Sequence, residues 1–192
     1  MDSDSKRKRL LEAAAAILAF TPEKRLNITV LNKALFYLDL TSLRDFGSPI
    51  SHNTFVALEQ GPVVAKYPQR LVNALVEEGI ANQESFEDAK PVVLNCLPSH
   101  LDFIDSNLEK LVQNIARWFS EKTSKEASDF AHQNPGWMLA HQEGLAKSQP
   151  AKPINLYIAM QQIVVSDPWM DSSYTLNSEA ISAADRDEGV PW

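Results

Sequence analysis

Between Asn27 and Gly47 lies the feature that most constrains the fold. Asn27 can cap a helix, Leu31, Leu35 and Leu38 recur at helical spacing with Ala34 beside them, and Gly47 supplies a stop. An Asn side chain accepts a backbone N–H at a helix start, and Gly takes the left-handed conformation that closes many helix ends. A helix therefore spans this stretch, and an apolar stripe of that length must be covered by flanking segments.

The flanks supply partners. Leu10, Ala14, Ile17 and Leu18 fall at helical spacing and predict a first helix over Lys6 to Phe20, ended by Thr21-Pro22. The run Lys6-Arg7-Lys8-Arg9 followed by apolar residues mimics a signal peptide. Glu12 interrupts it, and no small-residue cleavage pattern follows before Pro22, so a domain helix is expected.

Downstream, Thr54-Phe55-Val56-Ala57-Leu58 is β-branched and aromatic enough for a short strand, broken at Gly61-Pro62. Pro68 opens a third helix with Leu71, Val72, Leu75 and Val76 on its buried face and Gly79 at its end. Ile80 to Leu97 predicts two strands around a polar turn, with Cys96 a small buried hydrophobe on the second.

Ser99 with Asp102 is a capping pair for a long helix striped by Ile104, Leu108, Leu111, Ile115 and Phe119. Shorter helices are expected over Lys125 to Ala131, Trp137 to His141 and Pro153 to Val164. The expected fold class is α+β, predominantly α-helical, with a small antiparallel β-sheet.

Chemistry-bearing patterns are sparse. His52, His100, His132 and His141 form no metal-binding spacing with an acid, and Cys96 has no second cysteine. Six glycines stand singly, so no phosphate-cradling loop is formed, and no Ser occupies a nucleophile elbow. Glu77-Glu78 are adjacent on a helix and point to different sides. No catalytic residue, metal, or cofactor is expected, and the chain is read as a non-enzyme.

The lone cysteine suits a reducing cytoplasm. No apolar run reaches bilayer-spanning length, so no membrane partner is expected. A net charge of −7 disfavours nucleic acid, for which any binding should be weak and carried by Lys6 to Arg9. The segment Pro68 to Glu78, with the two strands after it, could form a helix-plus-wing, although Glu77-Glu78 would repel phosphates. Much of the negative charge lies at the end. Asp167 to Trp192 holds six acidic residues against Arg186 alone, and a polar end of this kind is expected to be loose.

Three stretches carry a family resemblance. Leu31-Asn32-Lys33-Ala34-Leu35-Phe36-Tyr37-Leu38-Asp39 resembles the Leu-x-Lys-x-Leu-Tyr-x-x-Asp opening of the Panacea domain family, the SocA-like antitoxins. Gly47, Pro49-Ile50 and Phe55-Val56-Ala57-Leu58-Glu59-Gln60-Gly61-Pro62-Val63 are similar to its central Gly-x-x-Ile and Tyr-x-Ala-x-x-x-Gly-Pro-Val signature. His132-Gln133-Asn134-Pro135-Gly136-Trp137 is similar to its His-x-x-x-x-Trp block. Phe55 replaces the usual Tyr, and Ala131 stands where Ser or Thr is expected.

The resemblance implies an antitoxin that neutralises a cognate protein toxin, encoded by an adjacent gene, through direct contact. The chain is accordingly divided into a basic segment and amphipathic helix packing on the body over 1–27, the Panacea domain that the resemblance implies over 28–145, a C-terminal helix over 146–166 and an acidic tail over 167–192. Phe55, Gln60, Lys66, Tyr67 and Trp137 are the candidate toxin contacts, while Gly61, Pro62 and His132 are family-motif residues with structural roles. Gly61-Pro62 can shape the core or present its neighbours, and Trp137 can anchor a core or an interface. Two other functions remain open, a winged-helix DNA-binding regulator and an adaptor that presents a client to a protease.

Overall fold

The computed structural model describes residues 1–84, 90–101, 106–149 and 151–170. Its axis is helix α2 (Ile28–Phe46), preceded by α1 (Ser3–Phe20) and the short strand β1 (Arg25–Asn27). Both anticipated signals of α2 operate. The Asn27 side chain accepts from the Thr29 N–H at 2.9 Å, and Gly47 closes the helix in the left-handed region at φ 76°.

Unlike a one-faced surface helix, α2 is buried all round from Val30 to Asp45. It touches α1, strand β3 (Gly61–Val64), α4 (Ser106–Ser120), α5 (Ser124–Ala131) and α7 (Leu156–Val165). Its interior polar groups must then find partners inside the protein, because an unpaired one costs about 1–3 kcal/mol. Asn32 donates to Ile28 O, Thr41 to Tyr37 O and Ser42 to Ser48 O. Asp39 accepts from both the N–H and the hydroxyl of Ser51. Arg44 reaches Asp45, Asp167 and Ile163 O. Lys33 is different, and it belongs to the site described below.

Among the described residues two three-stranded antiparallel sheets flank this axis, where one was expected. The first has the order β1-β5-β4, with β4 at Ala81–Gln83 and β5 at Pro91–Leu94, and pairs Leu26 with Val92 and Asn82 with Val93. The second has the order β3-β2-β6, with β2 at Phe55–Leu58 and β6 at Lys152–Pro153. Gly61-Pro62 thus lies within β3 and not between elements, with Leu58 opposite Gly61.

The third helix is not regular. A π-helical turn, Pro68–Asn73, runs into the four-residue α3 (Ala74–Glu77). Leu71, Val72 and Leu75 are buried as expected, but Val76 is 43% exposed. In chain order α1, β1, α2, this helical segment, β4 and β5 follow the succession of a winged helix, with the β2–β3 hairpin inserted. The turn between β4 and β5 lies largely outside the described residues, as do Asp102 and Ile104 of the expected capping pair and stripe.

Two further expectations, for Cys96 and for the acidic end, are corrected. Cys96 is exposed, because pairing ends at Leu94 and the N–H groups of Asn95 and Cys96 both turn to Ile80 O. The expectation of a loose segment fails for residues 167–170, and the rest of 167–192 lies outside the described residues. Asp167 pairs with Arg44, and Trp169 is buried among Tyr37, Trp118, Phe119 and Phe130 with its indole N–H on Thr41 Oγ1 at 3.2 Å. An indole places a large apolar area in the core, which outweighs the polar composition around it. Among the described residues, no helix is long and apolar enough to cross a membrane.

Candidate functional site

The three stretches that stood apart in sequence pack into one unit around Lys33, Gly61 and Trp137. From α2, Asn32 Oδ1 accepts the Val64 N–H of β3 at 3.0 Å, which ties the hairpin to the central helix. One residue on, Lys33 is fully buried, and its Nζ has no hydrogen-bond partner among the described residues. Burial pushes its amine down from 10.5 to about 7, since taking the charge out of water disfavours the protonated form.

Gly61 makes room for that amine. Its φ of +104° lies where side chains are strained, and an added Cβ would sit 2.9 Å from Lys33 Cε and 3.2 Å from Nζ. The same Cβ would be 3.6 Å from that of Ala131, at the end of α5. The small residue at 131, where the resemblance leads one to expect Ser or Thr, is therefore a close neighbour of the Gly-Pro strand.

The His132–Trp137 block closes the unit. His132 caps the end of α5 and stacks on Trp137 with ring centroids 4.3 Å apart, and its Nε2 is buried without a hydrogen-bond partner among the described residues. Trp137 lies on α6 (Pro135–Ala146), donates its indole N–H to Leu58 O at 3.0 Å, and stacks also on His141. Asn134 caps α6 through Trp137 N and donates to Ala159 O and Gln162 Oε1, where the Tyr37 hydroxyl also donates. Gly136 lets α6 approach α7, for a Cβ there would come 2.7 Å from that of Ala159.

This arrangement sorts the candidate contacts. Phe55 is corrected: it is 1% exposed, edge-on to Phe36 at 5.2 Å, and is a core residue that offers no surface to a partner. Trp137 at 8% exposed is chiefly an anchor. Tyr67 is half-buried against the core, while Gln60 and Lys66 are exposed on either side of β3. The Gln60 carbonyl accepts from Ser128 Oγ, while its exposed side chain makes no hydrogen bond among the described residues.

What the sequence did not reveal is a groove of about 620 Å³ beside Trp137, lined by residues that include Leu58, Glu59, His141, Gly144 and Leu145. Leu145 of this lining is 69% exposed, and Met138 and Leu139 on the same helix are 39% and 45% exposed, so α6 presents apolar surface of the kind that marks an interaction face. Gly144 and the spacing of these residues were the only available signals. Among the described residues no group of three or more His, Cys, Asp or Glu is placed to hold a metal ion.

The model of the family described as antitoxin SocA-like, Panacea domain, matches residues 31–138, which contain all three stretches. No curated protein and no solved structure matches the chain.

Proposed function

From the premise that the chain belongs to the SocA-like antitoxin family with a Panacea domain, we propose that it neutralises a cognate protein toxin by binding it. It acts in the cytoplasm, without catalysis, on the product of an adjacent gene. The observation that carries this reading is the family match over residues 31–138, the same span that packs around Lys33, Gly61 and Trp137.

The contact surface that fits is the groove beside Trp137 with its exposed apolar rim on α6, together with Gln60 at the hairpin turn. Binding energy in such interfaces concentrates in a few apolar or aromatic anchors that fill pockets. Trp137, His132 and Gly61 then serve the interface indirectly, by fixing the hairpin against α6. The test is growth. Expression of the neighbouring gene alone should arrest cells, and co-expression of this chain should restore them. A harmless neighbour, or an arrest that this chain leaves untouched, contradicts the proposal.

A further inference from the structure

Basic side chains that lie far apart in sequence meet around one small concavity of about 290 Å³. Lys6 comes from α1, His52 from the loop after α2 and Arg70 from the π-helical turn. The buried Asn53 gathers them, donating to Lys6 O at 3.1 Å and accepting from the Arg70 guanidinium at 2.8 Å. Arg9 adds to the same field. Burial holds the His52 imidazole below its ordinary value, and the charges of Arg9 and Lys6 lower it further.

The cluster is not neutralised from within. Arg7 and Lys8 on the same helix pair with Glu78 and Glu12, whereas Lys6, Arg9 and Arg70 form no ion pair among the described residues. In a chain of net charge −7, cations gathered without an ion-paired acid raise each other's energy, and a bound anion lowers that cost.

Two features select the anion. The cluster lies at the start of the third helical segment of a winged-helix chain order, and that segment exposes the amides of Gln69 and Asn73, side chains that can pair with base edges. The objection raised by Glu77-Glu78 is weakened, because Arg7 holds Glu78 at 2.6 Å and lies 4.0 Å from Glu77. We propose that Lys6, Arg9 and Arg70 form a phosphate-backbone site for duplex DNA, alongside the exposed face of Pro68–Glu77. The site is separate from the groove beside Trp137 and does not depend on toxin neutralisation.

The test is binding of the full chain, without any toxin, to a mixed-sequence duplex of ~21 base pairs, about two helical turns. Three phosphate contacts give a slope of about −2.7 in log K against log salt, so affinity should fall roughly 40-fold from about 50 to about 200 mM salt. K6Q/R9Q leaves the Arg70–Asn53 bond in place and should flatten the slope by about 2; adding R70Q should remove it. The control K125Q/K147Q should bind as the parent does. Melting curves identify any variant that fails to fold, and K6Q/R9Q then carries the test alone. No binding at about 50 mM salt, or binding unchanged in K6Q/R9Q, overturns the site. So does a cluster variant that keeps its DNA affinity but loses a co-purifying acidic protein, which would make the cluster a protein contact.

Discussion

Replacing Lys33 with methionine removes the one interior amine of α2 that has no hydrogen-bond partner among the described residues, while keeping an unbranched side chain of similar length. In the folded chain the amine titrates at about 7 against 10.5 when free. Between those values the unfolded chain carries a proton that the folded chain lacks. Raising the pH therefore favours folding across this window, and the whole penalty applies below pH 7. The gap is worth roughly 5 kcal/mol at pH 6 and falls to roughly 2 kcal/mol at pH 9. K33M should be more stable than the parent at pH 6, with an advantage that narrows by roughly 2–3 kcal/mol by pH 9. Urea denaturation of both proteins at each pH measures this. The buried Asp39 carboxyl, pushed up to about 7 by desolvation, also titrates nearby, but it is common to both proteins and cancels in the difference. A difference that does not change with pH, or a K33M less stable than the parent at pH 6, refutes the reasoning.

Gly61→Ala combines a strained φ, costing about 1–2 kcal/mol, with overpacking against Lys33 of about 1–3 kcal/mol, and should lower the melting temperature by roughly 4–20 °C. An unchanged melt would show that Lys33 can move aside. Trp169→Ala should cost about 3–5 kcal/mol and roughly 6–20 °C, and a loss near zero by calorimetry would mean that the indole does not dock. Leu145→Asp, on the exposed rim of the groove, should leave the melt within about 0.5 kcal/mol of the parent while abolishing co-purification with the toxin. Retained co-purification places the contact elsewhere.

Local signals made α2 legible, since its cap, stripe and stop all lie within one stretch. The strand at Phe55–Leu58 was legible from its β-branched and aromatic residues and the long helix from its stripe of Leu111, Ile115 and Phe119, although Ser99, expected to cap that helix, is followed by the non-helical His100 and Leu101. β1 was not, because three residues are too few to show a period of two. Trp169 was misjudged from its polar neighbours; what holds it is contact with Tyr37 and Thr41, more than 120 residues away. The candidate site was half legible. The three family stretches named Gly61, His132 and Trp137, yet Phe55 was put at a surface when it packs on Phe36. The orphan amine of Lys33 and the groove on α6 depend on how separate elements meet, which no local pattern encodes. The meeting of Lys6 with Arg70 through Asn53 is of the same kind.

The central claim is direct neutralisation, and the most direct measurement is calorimetric titration of the purified neighbouring gene product with this chain, read alongside the toxin's activity. A saturable complex is predicted, with activity lost in proportion to the bound fraction and binding weakened in Leu145→Asp. Rescue of growth in cells with no heat of binding, no complex by gel filtration and full toxin activity in the mixture would contradict it.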